Sequence, residues 1–148
     1  MNDDAADSPS IRFHPIGVVR HEAASVPRHW SVSDVEGDLV IDPVYRRGLC
    51  SIAPGDRLVV LFHFHRSGPF TPDLLVQRPP HRQTDMGVFS ICSPRRPNPI
   101  GLSVVEVLAV ADHILRVRGL DMFDGTPIVD LKPFVTGAAE CPSTERPD

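Results

Sequence analysis

The chain has 148 residues, of which 41% are hydrophobic and 23% charged, and its formal net charge is −4. These values are ordinary for a single globular domain with one core, and the apolar runs are far too short to span a membrane. The acidic N-terminus lacks the basic and apolar regions expected of a secretory signal. Cys50, Cys92 and Cys141 are odd in number and form no CxxC pair, which argues against a disulfide scaffold or a structural zinc site and favours a reducing cytoplasm.

The apolar runs divide the chain into a central domain and two tails. We expect a disordered tail over residues 1–10, one domain over residues 11–135 and a loose tail over residues 136–148. Within the domain, β-branched and aromatic runs predict strands over residues 11–20, 36–41, 57–65, 88–91, 102–110, 114–118 and 128–131. The strand over residues 57–65 contains the run LVVLF and is expected to be buried on both faces.

The remaining segments predict loops and turns rather than long helices. Residues 21–34 and 74–85 show no periodicity and predict long irregular loops, while residues 44–49 predict a single helical turn. No GxGxxG loop and no βαβ alternation occur, which argues against a doubly wound nucleotide fold. The predicted fold class is therefore all-β, a barrel or sandwich of short strands with long irregular loops.

The basic residues are distributed in a way that qualifies the negative net charge. A net charge of −4 argues against a nucleic-acid binder, but many of the acidic residues lie in the two tails. Every basic residue except Lys132 is an arginine, whose planar fork suits phosphate. The candidates for contacts with an RNA backbone are Arg78, Arg82, Arg95 and Arg96, and the alternative is a solvated surface.

Residues 87–101, GVFSICSPRRPNPIG, join a short apolar run to a proline-rich loop. Pro94 ends the predicted strand because proline has no N–H to donate, and Pro97 and Pro99 fix the backbone on either side of Asn98. A loop this stiff holds its polar groups still at little entropic cost. It suits a binding site, although an ordinary tight connection has the same composition.

Two segments, GVFSICSPRRPNPIGLSVVEV and LDMFDGTPIVDLKPF, together resemble the paired signatures of the TrmO/TsaA-like family, and the resemblance extends over residues 11–135. It implies a compact β-barrel that binds S-adenosylmethionine near the two-fold contact of a homodimer. It also implies methyl transfer to the exocyclic nitrogen of threonylcarbamoyladenosine next to the anticodon of tRNA. The chain departs from the family at Cys92, where an arginine is usual.

The resemblance assigns candidate cofactor contacts in four parts of the chain. They are Arg28, His29, Trp30, His65, Arg66, Cys92, Pro97, Asn98, Pro99, Gly101, Leu102, Arg118, Gly119, Leu120, Asp121, Asp124, Gly125 and Thr126. The motifs assign no general base, and Asp121 is the candidate catalytic carboxylate because of its place beside the DGT cluster. For Asn98 and Asp124 the alternative is a turn in which each side chain bonds its own backbone. Cys92 is expected to be a buried, inert thiol.

Three other functions stay open at this point. A binding module that senses S-adenosylmethionine without turning it over would carry the same loops, and so would a methyltransferase for a different small or RNA substrate. A metal-bound β-barrel is the third, because His63 and His65 lie two apart on one predicted strand and His81 could add a ligand. The pair is weak evidence, and the favoured interpretation has no metal. Trp30 could stack on a base or belong to the core.

Overall fold

A computed structural model describes residues 9–137, so the predicted tails lie outside the described residues except at positions 9, 10, 136 and 137. The described strands are β1 Gly17–Arg20, β2 Glu36–Ile41, β3 Arg57–His63, β4 Val76–Gln77, β5 Met86–Gly87, β6 Ile100–Ala111, β7 Ile114–Arg118 and β8 Pro127–Pro133. The 3-10 helices between them are Trp30–Val32, Pro43–Leu49, Pro72–Leu75 and Val88–Ser90. The predicted bounds of β2 and β7 are confirmed.

Six strands close into an antiparallel barrel in the order β1, β2, β7, β6, β3, β8. The barrel closes where β8 pairs with β1, with Ile128 opposite Gly17. β6 is long enough to pair with β3 over its first half and with β7 over its second half. β4 and β5 pair only with each other. The predicted all-β barrel is confirmed, and closure removes the exposed edges that an open sheet would leave.

The core consists of side chains that alternate along the strands. The pattern of one inward residue in two is that of strands with one face on a core. The buried core residues of four of these strands are Leu39 and Ile41 of β2, Leu58, Val60 and Phe62 of β3, Val105 and Val107 of β6, and Leu115 and Val117 of β7. The expectation that β3 is buried on both faces is wrong, because Val59 and Leu61 on its outer face are only half-buried.

The first predicted strand is correct only in its last four residues. Ile11 and Phe13 are 79% and 67% exposed and make no strand, and β1 begins at Gly17, two residues after Pro15. Pro15 has no N–H with which to continue the ladder toward the N-terminus. The apolar residues ahead of it therefore stay outside the barrel.

The apolar run over residues 88–91 is a 3-10 turn, and its prediction as a strand is wrong. The Ile91 N–H donates to the carbonyl of Val88 at 3.4 Å, and Val88 is buried while Phe89 is 78% exposed. The ladder ends at Gly87 because β5 has a partner of only two residues. A short apolar run carries too little periodicity to distinguish these alternatives.

Other bounds differ from the prediction by small amounts. β3 ends at His63 rather than at residue 65, because the Phe64 N–H donates to the carbonyl of Pro99 and leaves the ladder. β6 and β8 are longer than predicted, and Pro43–Leu49 has seven residues rather than one turn. Pro72–Leu75 lies partly, and β4 wholly, within residues 74–85, so the prediction of an irregular loop there is wrong for these positions.

Candidate active site

A cavity of about 670 Å³ opens at the end of the barrel where β3 ends and β6 begins. This volume is within the range of small-molecule sites, roughly 300–1,000 Å³. The lining residues come from five segments: Arg28, His29 and Trp30; Phe62, His63, Phe64, His65, Arg66 and Ser67; Ile91, Cys92, Pro94 and Arg96; Ile100, Gly101 and Leu102; and Asp121, Met122, Phe123 and Thr126.

Hydrogen bonds tie the loop before β2 to the segment before β8. The N–H groups of Gly119 and Leu120 both donate to the carbonyl of Val35, at 3.0 and 3.1 Å. Ser33 Oγ donates to the carbonyl of Leu120 at 2.5 Å. Closer to β1, His21 Nδ1 accepts from the Ala23 N–H. Its Nε2 is therefore the protonated nitrogen and donates to the carbonyl of Met122 at 2.9 Å.

These bonds place His29 and Trp30 beside Asp121. The Asp121 side chain is half-buried on the cavity wall, and its Oδ1 accepts a hydrogen bond from the Ser103 hydroxyl. Burial raises the pKa of Asp121 above its usual value; the Ser103 hydrogen bond, the positive potential of His29 and the backbone amides of Trp30 and Asp121 oppose that rise. A carboxylate that binds a proton more readily than usual, and that faces a cavity, is suited to general-base chemistry.

The raised pKa of Asp121 makes a prediction about stability. A group whose pKa is higher in the folded state contributes stability below its unfolded pKa and loses it as the pH rises through the folded value. Asp121→Asn should therefore unfold at a higher temperature than the native chain at pH 7 and show little difference near pH 3. We expect a gain below about 1 kcal/mol, because solvent screens a half-exposed carboxylate. Thermal unfolding followed by circular dichroism across this pH range checks the sign, and destabilisation at pH 7 would contradict it.

Three arginines give the cavity a positive character. The Arg66 guanidinium lies over the Phe123 ring, with its Cζ 4.8 Å from the ring centroid, and Arg28 is an exposed residue of the cavity wall. Arg96 Nη1 donates to the carbonyls of Ile91 and Ser93, at 3.0 and 3.2 Å, and so braces the loop that forms one wall. Guanidinium groups in such a site favour carboxylate or phosphate groups of a ligand.

The floor of the cavity is aromatic and depends on a glycine. The rings of Phe62 and Phe64 meet edge to face, with centroids 5.0 Å apart. A Cβ at Gly101 would lie 2.3 Å from Phe62 Cζ, so only glycine lets β6 approach these rings. The stiff loop supports this floor through its backbone, because the carbonyls of Pro99 and Asn98 accept from the N–H groups of Phe64 and Ile100.

The structure brings together many, but not all, of the residues predicted to contact a cofactor. Those on the cavity wall are Arg28, His29, Trp30, His65, Arg66, Cys92, Gly101, Leu102, Asp121 and Thr126. Those outside the wall are Pro97, Asn98, Pro99, Arg118, Gly119, Leu120, Asp124 and Gly125.

The residues outside the wall hold the neighbouring segments in place. Arg118 pairs with Glu106 at 2.9 Å, and Leu120 is fully buried. Asp124 Oδ1 accepts from the His21 N–H at 3.0 Å, so the side chain bonds a distant loop rather than its own turn. Gly125 has a φ of 85°, which the predicted turn requires of a glycine.

Cys92 and the paired histidines differ from expectation. The Cys92 thiol is exposed on the cavity wall, so the predicted burial is wrong; its loop lines the cavity instead of entering the core. His63 and His65 both line the cavity, although His65 lies beyond the end of β3. Within residues 9–137, no group of three or more histidine, cysteine or acidic side chains has an arrangement that could hold a metal ion.

The arginines proposed for RNA contacts have different surroundings. Arg78 Nε donates to Asp85 at 3.0 Å, while Arg82 and Arg95 are exposed. Arg96 belongs to the cavity wall described above. Trp30 is half-buried on the same wall, with its ring 5.0 Å from that of His29, and does not belong to the core.

Sequence reasoning did not select several residues of this site. Phe62, Phe64 and Phe123 line the cavity, and Ser103 contacts Asp121 from β6. Ser103 is fully buried in β6, where it lies between Leu102 and Val104. A hydroxyl within the apolar run from Ile100 to Val105 was the available signal, because a buried polar group must find a partner.

The fold is a small closed β-barrel with a cavity of small-molecule size at one end. The family profile of the tRNA-methyltransferase O N-terminal domain matches residues 18–139. The chain belongs to this family. Over 129 residues it is 38% identical to a probable S-adenosyl-L-methionine-binding protein of Pyrococcus abyssi, covering 84% of the chain and 68% of that protein.

Two further relatives are named for methyl transfer or for TrmO. The chain is 38% identical over 150 residues to the tRNA (adenine(37)-N6)-methyltransferase of Escherichia coli, covering 90% of the chain and 61% of that enzyme. The crystal structure of TrmO from P. aeruginosa superimposes with a TM-score of 0.68 at 27% identity, covering 95% of the chain and 61% of that structure. The chain thus spans less than two thirds of these two proteins. Within residues 9–137, no helix is long and apolar enough to cross a membrane.

Proposed function

We propose that the protein is an S-adenosylmethionine-dependent methyltransferase that acts on the exocyclic N6 of adenosine 37 in tRNA, modified as threonylcarbamoyladenosine. The observation that carries the proposal is the cavity, which places the Asp121 carboxylate among arginine and aromatic side chains within a fold of this family. The family names of the relatives support the cofactor and the tRNA substrate.

The residues of the cavity fit the chemical groups of the cofactor. Aromatic faces and the exposed Leu102 suit an adenine ring, and Arg28 or Arg66 suits the carboxylate of the methionine end. The cavity volume of about 670 Å³ accommodates a ligand of this size. Arg66 and Arg28 share the cavity wall with Cys92, and we propose that they compensate for the arginine that is usual in the family at this position.

When bound, S-adenosylmethionine supplies a methyl carbon: the C–S bond breaks with its electron pair on sulfur, a C–N bond forms, and the acceptor nitrogen releases a proton. The chain must orient the acceptor, exclude water and take that proton. Asp121 is the only carboxylate on the described cavity wall, and we assign it as the proton acceptor. Its raised pKa brings its basicity closer to neutral pH, where a general base works best.

Transfer of labelled methyl groups to tRNA tests the proposal. Purified protein is incubated with methyl-labelled S-adenosylmethionine and tRNA from the source organism, and the tRNA is digested to nucleosides for mass spectrometry. The label should appear on threonylcarbamoyladenosine, and an unmodified transcript should receive none. Cofactor binding without any transfer would contradict the proposal and indicate the sensing module instead. Label on another nucleoside would correct the acceptor.

Cys92 provides a direct probe of cofactor binding. Its thiol is exposed on the cavity wall, whereas the Cys50 thiol is exposed away from it. Saturating S-adenosylmethionine should slow alkylation of Cys92 by at least about tenfold, because the bound ligand would block access. Mass spectrometry of Cys50 in the same sample is the matched control, and its alkylation rate should not change. Equal rates at Cys92 with and without cofactor would place the ligand elsewhere.

A homodimer and a cytoplasmic location are further parts of the proposal. Exposed apolar side chains outside the cavity, among them Phe89 at 78% and Val76 at 57%, support a partner surface. The free thiols of Cys50 and Cys92 agree with a reducing compartment. Light scattering of the purified chain measures the oligomeric state.

Arg82 and Arg95, both exposed, are proposed with Arg78 and Arg96 as contacts for the tRNA backbone.

A further inference from the structure

Ser103 is a buried hydroxyl in β6, flanked on both sides by apolar residues. It lies in β6 with no exposed surface, between Leu102 on the cavity wall and the buried Val104. Opposite it in the β3 ladder is Val60, which offers no side-chain partner. The Ser103 hydroxyl donates to Asp121 Oδ1 instead. Packing alone would be satisfied by an alanine at this position. The serine hydroxyl is instead hydrogen-bonded to the one carboxylate of the described cavity wall.

We propose that Ser103 is a positioning residue: its hydroxyl holds the Asp121 carboxylate in the orientation that accepts the proton from the methyl-acceptor nitrogen. This inference rests on the proposed function. Fixing Oδ1 limits rotation of the planar carboxylate and so defines where the second oxygen lies. β6 belongs to the closed barrel, and Ser103 lies in its ladder with β3, opposite Val60, so the hydroxyl is held on a rigid element.

The Ser103 hydrogen bond also sets the pH at which Asp121 can accept a proton. A hydroxyl that donates to a carboxylate stabilises its ionised form, and here it opposes the effect of burial on the pKa. The other charged or titratable groups facing this part of the cavity are His29, His63, His65, Arg28, Arg66 and Arg96. These groups are the same in native and Ser103-substituted chains. A difference between the two chains therefore reports the hydroxyl.

The carboxyl titration of Asp121 tests the inference without using activity. In protein labelled with carboxyl-¹³C aspartate, the Asp121 resonance is identified by its absence in Asp121→Asn. Ser103→Ala should raise the titration midpoint by roughly one pH unit, the usual effect of losing a hydrogen bond to a charged group. Ser103→Thr keeps the hydroxyl and should return the midpoint to within about 0.3 pH unit of the native value. If Ser103→Ala does not fold, Ser103→Cys takes its place, because a cysteine side chain has a similar volume and its thiol is only a weak hydrogen-bond donor.

The pH profile of methyl transfer connects the hydroxyl to the reaction. The acidic limb of kcat in Ser103→Ala should move to higher pH by the same amount as the carboxyl midpoint. The Kd for the cofactor should change by less than about twofold, because Ser103 does not line the cavity. In an Asp121→Asn background, Ser103→Ala should have no further effect on kcat, since the two residues act as one unit.

The outcomes separate this inference from the proposed function. A shifted Asp121 midpoint in Ser103→Ala, together with a shifted acidic limb, supports the positioning role. An unchanged midpoint, or a midpoint that moves while the acidic limb stays in place, overturns it. If the native chain transfers no methyl group at all, the proposed function fails and the positioning role with it, even though the titration can still show that the hydroxyl and the carboxylate are coupled.

Discussion

Asp121→Asn is expected to reduce methyl transfer by about 10²- to 10⁴-fold, the usual contribution of general acid–base catalysis. The amide is close in size to the carboxylate and can still accept a hydrogen bond from Ser103, but it cannot take a proton. The loss should therefore fall on kcat, while the Kd for S-adenosylmethionine stays within about threefold of the native value. Single-turnover transfer of labelled methyl groups and calorimetric titration of the cofactor measure the two quantities.

Asp130→Asn is the matched control for this experiment. Asp130 is a carboxylate of β8 that pairs with Lys132 at 3.0 Å and does not line the cavity. Its amide variant should transfer methyl groups at the native rate. Activity in Asp121→Asn within about threefold of native would show that solvent, rather than this carboxylate, removes the proton.

Gly101→Ala is expected to destabilise the fold strongly, by about 1–3 kcal/mol or more, because it overpacks a closed site. The new Cβ would lie 2.3 and 2.4 Å from Phe62 and 2.8 Å from Phe64. Phe62 is 3% exposed and packs edge to face on Phe64, so the ring has no free space to enter. The same displacement should distort the cavity floor and weaken cofactor binding. Chemical denaturation gives the free energy of unfolding of native and variant chains.

Gly87→Ala provides the comparison, since a Cβ at that position meets nothing within 4 Å and its φ of −62° suits any residue. Its free energy of unfolding should lie within about 0.5 kcal/mol of the native value. Phe62→Leu combined with Gly101→Ala should recover part of the lost stability, because the smaller side chain makes room for the methyl group. Equal stability of Gly101→Ala and Gly87→Ala would show that the aromatic floor tolerates displacement.

The strands that sequence reasoning placed correctly are those whose ends carry local signals. β2 ends at Ile41, directly before Asp42-Pro43. β7 alternates Leu115 and Val117 with Arg116 and Arg118, and it ends before Gly119, whose φ is 109°. The run over residues 88–91 has no such alternation, and the length of its partner strand decided its conformation. Local composition therefore predicts a strand best where residues next to the strand, such as a proline or a glycine, determine its end.

The sequence motifs predicted those residues of the site that lie within the motifs themselves. Gly101, Leu102 and Asp121 lie within the recognised segments and line the cavity. The bond between Ser103 and Asp121 depends on how the segment before β8 folds over β6, which composition does not encode. Likewise, the burial of Cys92 was mispredicted because its loop leaves the ladder and forms a cavity wall. Contacts between segments that are distant in the sequence could be identified only from the folded structure.

A crystal structure with bound S-adenosylhomocysteine tests the central claim most directly, because it shows whether this end of the barrel holds the cofactor. We predict the ligand in the 670 Å³ cavity, with its carboxylate at Arg28 or Arg66 and its sulfur facing Asp121. A ligand bound elsewhere, with Asp121 out of reach of its sulfur, would contradict the account.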